Sequence, residues 1–341
     1  MEEPVLDGTK PRLDLNTTRE GVTVVRPTLP AGTDNQAIPR RLRELMGELV
    51  ATQALERYVL WFYTPMAMAF ARDLHPAAVV YDCMDELSNF QGAPAGLLAY
   101  ETQLMAAADV VFTGGQSLYR AKCDRHPNVH AFPSAVDVPH FAQARSIVDE
   151  AADQASIPHP RVGFFGVIDE RLDVELLGAT ARLRPDVHFV MVGPVVKIDP
   201  AILPQAPNVH WLGKRSYDEL PAFIAGWEVA MMPFAKNDAT RYISPTKTPE
   251  YLAAGRPVVS TSITDVVNPY QPLGLVRIAD TAEEFARAID EAMAENAETR
   301  QLVADDFLAQ ISWDQTWKRM DEQIEASILA RGAAVLDTKV A

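Results

Sequence analysis

The stretch SPTKTPEYLAAGRPVV, residues 244–259, decides the fold of this chain. Its pattern predicts a short helix that ends at Gly255 and leads directly into a buried strand starting near Pro257. Helices and apolar strands that follow each other this closely are typical of α/β proteins, in which helices cover a mainly parallel sheet. Pro249 lies in the first turns of this helix, and Thr248 before it is the expected N-cap.

Two charged side chains lie at the start of this predicted helix. Lys247 and Glu250 are three residues apart, so they share one face of the helix. The free N–H groups at a helix start attract anions, and a lysine there can meet a phosphate as a point charge. A carboxylate one turn further on can accept hydrogen bonds from two sugar hydroxyls. The pair therefore indicates a nucleotide or nucleotide sugar, with an ordinary surface lysine and helix-start glutamate as the equally common alternative.

Length and composition are those of a globular protein with two domains. The chain has 341 residues, 48% hydrophobic and 23% charged, which is enough for two separate cores. The net charge of −15 argues against a nucleic-acid partner and against general adhesion to anionic membranes. No apolar run approaches the roughly 20 residues of a membrane-spanning helix, and no signal-peptide pattern is visible. We therefore expect a cytoplasmic protein with at most peripheral membrane contact.

Strand-like apolar runs alternate with helical patterns along the whole chain. This alternation predicts two doubly wound, Rossmann-like domains that face each other across a cleft. The expected division is an N-terminal domain at 1–142, a linker at 143–158, a C-terminal domain at 159–312 and a C-terminal helix at 313–341 that packs back toward the N-terminal domain. In such folds ligands lie beyond the carboxyl ends of the strands, which is where the polar candidates of this sequence cluster.

Four segments, in this order, resemble a GT-B glycosyltransferase of the retaining, nucleotide-sugar-dependent kind grouped as glycosyltransferase family four. They are VVYDCMDELSNF at 79–90, FPSAVDVPHF at 132–141, VGFFGVIDERLD at 162–173 and SPTKTPEYLAAGRPVV at 244–259. The chain closely resembles one bacterial branch of this family, which includes enzymes of exopolysaccharide and teichuronic-acid synthesis. The resemblance covers nearly the whole chain and implies the α/β GT-B fold.

The resemblance implies a role for each of three charged residues. Lys247 would bind the donor diphosphate, and Glu250 would bind the ribose hydroxyls. Arg171 falls near the family's second basic residue, which also faces the diphosphate. A surface ion pair with Asp169 or Asp173 is the structural alternative for this arginine.

Some positions depart from the family pattern. Tyr242 stands where the family often has a glutamate that holds the transferred sugar. Val167 stands where an arginine usually follows the loop glycine, here Gly166, which resembles the small residue that lets the loop approach the donor. Asn237, Thr240 and Tyr242 then become candidate contacts for the sugar hydroxyls. The resemblance also implies that the N-terminal domain lacks the family's first strand, glycine loop and helix, because residues 2–8 resemble the end of a second strand.

The acceptor side is predicted to lie after the strand that ends at Tyr81. Asp82 and Asp85 are the candidate catalytic residues, which would orient or deprotonate an incoming hydroxyl, with a capped loop as the structural alternative. Glu86 and Thr64 are expected on the same side of the cleft. The spacing D-x-x-D-E differs from the D-x-D of metal-dependent transferases, and the histidines show no paired ligand spacing. We therefore predict no metal and no cofactor.

The predicted function is that of a hexosyltransferase. A nucleotide-diphosphate sugar would be the donor, a saccharide or lipid-linked saccharide the acceptor, and the family implies retention of anomeric configuration. The alternative is a catalytically silent GT-B-like nucleotide-binding or partner protein, which Tyr242, Val167 and the N-terminal departure favour. A G-x-G-x-x-G fingerprint is missing from the sequence, which argues against a dinucleotide oxidoreductase.

Overall fold

Three β-sheets organise the chain in the computed structural model, which describes residues 1–147 and 149–340, the last eight of these as helical backbone only. A three-stranded sheet has the order β1-β3-β2, a four-stranded sheet the order β4-β5-β6-β7, and a six-stranded sheet the order β10-β9-β8-β11-β12-β13. The strands are β1 (Val5–Gly8), β2 (Arg12–Thr17), β3 (Thr23–Pro30), β4 (Val59–Phe62), β5 (Ala78–Cys83), β6 (Val110–Thr113), β7 (Val129–Ala131), β8 (Arg161–Phe165), β9 (His188–Val192), β10 (Val209–Gly213), β11 (Val229–Met232), β12 (Val258–Ser260) and β13 (Val276–Ile278).

Helices lie between most of these strands, together with short 3₁₀ turns. They are α1 (Ile38–Thr52), α2 (Met68–Ala71), α3 (Leu97–Ala107), α4 (Gln116–Lys122), α5 (Val138–Ala142), α6 (Val174–Leu183), α7 (Leu220–Ala225), α8 (Lys247–Ala253), α9 (Thr264–Tyr270), α10 (Ala282–Met293), α11 (Ala297–Leu308) and α12 (Trp313–Val340). The alternation of strand and helix is that of a doubly wound α/β protein.

The six-stranded sheet is parallel throughout and carries the largest core. Its strands are nearly continuous apolar runs, because both faces of such a sheet are covered. The fully buried Trp227 packs against Gly163 of β8, where a Cβ atom would lie 1.9 Å from the indole ring. The chain runs from β8 outward to β10 and then returns to β11, so the strand order reverses between β8 and β11. Ligands of doubly wound folds bind beyond the carboxyl ends of the strands at such a point.

The four-stranded sheet of the N-terminal half is also parallel, and α12 covers one of its faces. Ile324 of α12 packs against Val80 and Phe112 of β5 and β6. Near the far end of the described side chains, Arg331 makes a 2.6 Å ion pair with Asp109. The last helix therefore crosses from the C-terminal half and packs on the N-terminal sheet.

The three-stranded sheet contains an antiparallel hairpin of β2 and β3, and β1 pairs in parallel with β3. The strand at Arg12–Thr17 is not among those predicted from the sequence, because only Leu13 and Leu15 are apolar in this short and otherwise polar stretch. Pairing with β3 supplies its stability instead. Within the described residues β1 and β4 are edge strands of separate sheets. That the N-terminal domain lacks the family's first strand, glycine loop and helix stays a prediction.

Candidate functional site

Helix α8 begins at Lys247 and lies beside the carboxyl end of β8. The prediction of Thr248 as N-cap is wrong: Thr246 occupies that position, and Thr248 is fully buried with its hydroxyl 3.5 Å from the Met232 sulfur. Thr248 is not the N-cap because its side chain packs into the core against β11. The buried Tyr251 fixes the helix, because its hydroxyl accepts a 2.9 Å hydrogen bond from the Phe165 backbone N–H.

Lys247 extends over the end of β8 into the space that Gly166 leaves open. Gly166 has φ of +146°, and a Cβ atom there would lie 2.3 Å from Cε of Lys247. The ammonium nitrogen lies 6.0 Å from the centroid of the Phe164 ring. Within the described ranges Lys247 has no ion-pair partner, and burial lowers its pKa against the opposing charge of Glu250. A half-buried cation that forms no ion pair with the described residues is suited to bind an anion.

Glu250 lies one turn along the same helix face. Burial raises the pKa of its carboxyl to about 7, and the Lys247 ammonium and a hydrogen bond from Thr246 oppose this rise. The electrostatic effect of each residue on the other shows that Lys247 and Glu250 lie close together, as their spacing predicts. The site therefore presents a positive group followed by a hydrogen-bond acceptor.

Arg171 lies on the loop after β8 and lines the same cavity as Lys247. Its guanidinium binds Asp169 as a fork, with Nε 2.9 Å from Oδ1 and Nη2 2.7 Å from Oδ2. These hydrogen bonds raise the pKa of Arg171. The ion pair expected as the structural alternative is thus present, with Asp169 as the partner. It also orients the arginine along a cavity of about 170 Å³ that Lys247, Ser244, Ser134 and Asp85 line as well.

The two candidate catalytic carboxylates have different surroundings. Asp85 lines the cavity, and its pKa is raised by burial while the nearby charge of Arg171 opposes this rise. Asp82 is 3% exposed, and its Oδ2 accepts a 3.2 Å hydrogen bond from Nε1 of Trp61. Burial raises the pKa of Asp82 to about 6. Asp85 is therefore placed to meet a substrate beside Arg171, whereas Asp82 lies against Trp61.

We expect Asp82→Asn to stabilise the protein at pH 8 and to have little effect at pH 4. The folded pKa of about 6 lies above the unfolded value, so the stability linked to this proton is present below about pH 4 and is lost as the pH rises through 6. Between the two pH values the free energy of unfolding linked to this proton changes by about 3 kcal/mol at most. The asparagine oxygen can still accept the Trp61 hydrogen bond. Thermal unfolding at both pH values measures this change, with the exposed Asp238→Asn as control. An equal effect of Asp82→Asn at both pH values would contradict this pKa.

Two acceptor-side candidates lie apart from each other. Thr64 accepts a 3.3 Å hydrogen bond from the Met66 backbone N–H and lines a groove that Asp85 and Arg171 also border. Glu86 turns inward instead, where Oε2 makes a 2.6 Å ion pair with the buried Lys122. The sequence does not reveal Lys122, because a lysine at the end of a short helix ordinarily projects into water.

The candidate sugar contacts of the C-terminal domain bond mainly to each other. The Asn237 side chain accepts from the Thr240 N–H at 3.1 Å, and the Thr240 hydroxyl accepts from the Asn237 N–H at 3.0 Å. Thr240 is 2% exposed, while Asn237 is exposed and donates to the Glu170 carbonyl at 2.8 Å. Tyr242 packs against the apolar cluster of the N-terminal domain around Phe62. The structure thus gives these residues a role in shaping the loop and the domain contact.

The described side chains hold no group of three or more histidine, cysteine, aspartate and glutamate residues arranged for a metal ion. The strand β5 extends past Tyr81 to Cys83, and the three carboxylates at its end diverge: Asp82 within the strand faces Trp61, Glu86 faces Lys122, and Asp85 alone of the three reaches the cavity. Across the helices that the structure describes, none combines the length and apolar character needed to cross a membrane.

Comparison with known families and proteins points to sugar transfer. Residues 159–295 match the family described as Glycosyl transferases group 1, a segment that contains the whole six-stranded sheet. The chain is also similar to TuaH of Bacillus subtilis (strain 168), a candidate teichuronic acid biosynthesis glycosyltransferase. The two are 24% identical over 276 residues, which are 76% of this chain and 69% of TuaH.

Solved glycosyltransferase structures share the fold. Sucrose-phosphate synthase from Thermosynechococcus elongatus superposes with a TM-score of 0.67 at 15% identity, over 96% of this chain and 88% of that one. The trehalose-phosphate synthase of Burkholderia xenovorans, solved with glucose-6-phosphate, has a TM-score of 0.68 at 14% identity, over 95% and 90%. HepE of Anabaena, solved with UDP and glucose, has a TM-score of 0.64 at 15% identity, over 87% and 84%. The predicted α/β GT-B fold is confirmed, and the family match supports the predicted glycosyltransferase function.

Proposed function

We propose that this protein transfers a sugar from a nucleoside diphosphate donor to a saccharide acceptor, with retention of anomeric configuration. The observation that carries the proposal is the cavity where Lys247 and Arg171 of the C-terminal half meet Asp85 of the N-terminal half. Two cations suit a diphosphate leaving group, and a carboxylate suits an incoming hydroxyl. TuaH supports a role in polysaccharide synthesis, and HepE, solved with UDP and glucose, supports the type of donor.

The donor would bind along the end of β8 and the start of α8. Lys247 would contact the diphosphate oxygens, because its ammonium has no ion-pair partner among the described residues. Arg171, already oriented by Asp169, would add a planar fork on the same phosphates. Glu250 would accept hydrogen bonds from the ribose hydroxyls, and each such bond to a charged group contributes about 2 kcal/mol.

Transfer then requires one bond to break and one to form. The bond between the anomeric carbon and the diphosphate oxygen breaks, and its electron pair stays on that oxygen. Lys247 and Arg171 stabilise the growing charge there, in a partly desolvated cavity where such contacts are strongest. The acceptor oxygen bonds to the anomeric carbon, and its proton passes to Asp85 or to a phosphate oxygen.

A groove of about 890 Å³ beside Asp85 and Thr64 is the proposed acceptor site. Much of its lining is apolar, including Leu42, Phe70 and Leu97. Apolar walls suit an acceptor that carries a hydrocarbon portion, so a lipid-linked saccharide fits better than a free sugar. Its saccharide end would lie at Asp85, next to the donor cavity.

Product analysis tests the proposed function. The full chain is incubated with UDP-glucose, ADP-glucose or GDP-mannose and with short lipid-linked or free oligosaccharides. We expect one donor to release its nucleoside diphosphate faster when an acceptor is present, and the product to keep the anomeric configuration of the donor by NMR. Donor binding without release in every combination would favour the catalytically silent alternative.

Transfer is expected to persist in excess EDTA. The reason is geometric, since only Asp85 of the three carboxylates at the end of β5 reaches the cavity, while two cationic side chains line it. The rate of nucleoside diphosphate release with and without EDTA measures this. A complete loss of activity that Mn²⁺ or Mg²⁺ restores would show that Asp85 shares a metal ion with the donor.

A further inference from the structure

The loop at residues 84–92, which follows β5, connects the two halves of the molecule. We call it the bridging loop. Nδ2 of Asn89 donates a 3.1 Å hydrogen bond to the carbonyl oxygen of Asp238. The backbone N–H of Gln91 lies 3.4 Å from a carboxylate oxygen of Glu170. Both partners belong to the C-terminal half, so this loop of the N-terminal domain is held from the opposite side of the cleft.

The bridging loop also meets the donor-binding arginine. The guanidinium carbon of Arg171 lies 5.6 Å from the centroid of the Phe90 ring, within the range of a cation–π contact. Asp85, at the start of the loop, lies within electrostatic range of the same arginine. The position of this loop therefore decides whether Asp85 and Arg171 line one cavity.

A buried ion cluster lies beneath the bridging loop. Lys122, the last residue of α4, is 1% exposed, and its ammonium is 2.6 Å from Oε2 of Glu86 and 2.6 Å from Oε1 of Glu101. Glu101 has further partners: Arg125 lies 2.8 Å from its Oε2, and the Tyr81 hydroxyl donates a 3.2 Å hydrogen bond to its Oε1. Glu86 has only Lys122 as an ion-pair partner within the described part of the chain.

Lys122 therefore matters differently to its two carboxylate partners. A buried ion pair is weak evidence for stability, because desolvation offsets much of the attraction. Glu101 would remain paired without Lys122, whereas Glu86 would lose the cation that draws it inward. Since Glu86 is the residue next to Asp85, its attachment sets where the bridging loop leaves the sheet.

We propose that Lys122 is a positioning residue, which through Glu86 holds the bridging loop where Asp85 meets Arg171 at the donor cavity. Its importance for transfer rests on the proposed function, whereas its effect on the loop does not. Lys122 is buried and lines neither the donor cavity nor the groove, so it would act only through the backbone of residues 84–92.

Hydrogen exchange of the backbone amides tests the positioning role. In Glu86→Gln the Lys122–Glu101 pair remains, so the domain keeps its core, yet we expect the amides of residues 84–92 to exchange about tenfold faster. Lys122→Met is expected to have the same local effect. Arg125→Met removes the other cation on Glu101 and is the matched control, with unchanged exchange in the loop. Unchanged exchange in Glu86→Gln, or an equal rise in Arg125→Met, would overturn the proposal.

The kinetic consequence is a split between turnover and donor binding. We expect Glu86→Gln to lower kcat by about 100-fold, as misplacement of a reacting group by an ångström can do. The Kd of UDP should change less than about twofold, because Lys247 and Glu250 keep their places and Asp169 still holds Arg171. A kcat equal to that of the wild type would overturn the positioning role even if the loop exchanges faster. If the wild type transfers no sugar, the proposed function fails while the exchange experiment still tests the loop.

Discussion

Replacing Lys247 with alanine is expected to weaken UDP binding by about 30-fold and to lower the transfer rate by about 100- to 1,000-fold. The ammonium is half-buried and has no ion-pair partner among the described residues, so its removal breaks no ion pair described in the resting protein. A diphosphate, in contrast, would lose its nearest cation as negative charge grows on it. Calorimetric titration with UDP and the rate of nucleoside diphosphate release measure the two effects.

The matched control is Lys214→Ala, an exposed lysine of the same domain. It lowers the net charge by the same amount and should leave UDP binding within about twofold, because exposed charges at a distance are screened by salt. Equal losses in Lys214→Ala and Lys247→Ala would show that general charge, and not a site on α8, attracts the nucleotide.

Gly166→Ala is expected to weaken UDP binding by about as much as the loss of Lys247 itself, about 30-fold. The added Cβ atom would lie 2.3 Å from Cε of Lys247, so the lysine has to leave its place over β8. The backbone at φ of +146° adds strain of about 2 kcal/mol for any side chain. Circular dichroism establishes that the variant is folded, and calorimetry measures the loss of binding.

Gly213→Ala is the control that separates backbone strain from the collision with Lys247. Gly213 also has positive φ, +72°, and a Cβ atom there would meet nothing within 4 Å. This variant should lose stability of about 1 kcal/mol and keep UDP binding. If Gly166→Ala binds UDP as tightly as Gly213→Ala does, Lys247 does not need the space that Gly166 leaves.

The donor-side residues are predictable from the sequence because their relation is local. Lys247 and Glu250 lie on one short helix, where spacing alone determines that they share a face. The position of Gly166 follows in the same way from the end of an apolar strand. The order of strands and helices in the two parallel sheets was predictable as well, since sheets of this kind leave long apolar runs in the sequence.

The acceptor side was not predictable to the same depth, because its residues are sorted by contacts distant in sequence. Asp82 faces Trp61 of the neighbouring strand, and Glu86 faces Lys122, whereas Asp85 between them reaches the cavity. No rule based on sequence spacing predicts which of three carboxylates within five residues faces the cavity. Tyr242 likewise stands at a position expected to hold a sugar, yet it packs on the N-terminal domain.

The most direct test of the account is a comparison of UDP with its 2′,3′-dideoxy analogue on wild type and Glu250→Ala. The central claim is that Lys247 binds the diphosphate while Glu250 binds the ribose diol. We predict that the wild type binds the analogue about 30-fold more weakly than UDP, and that Glu250→Ala binds both nucleotides alike. Glu175→Ala, an exposed glutamate in the first turn of α6, is the control and should behave as the wild type. An equal preference for UDP in the wild type and in Glu250→Ala would contradict the account.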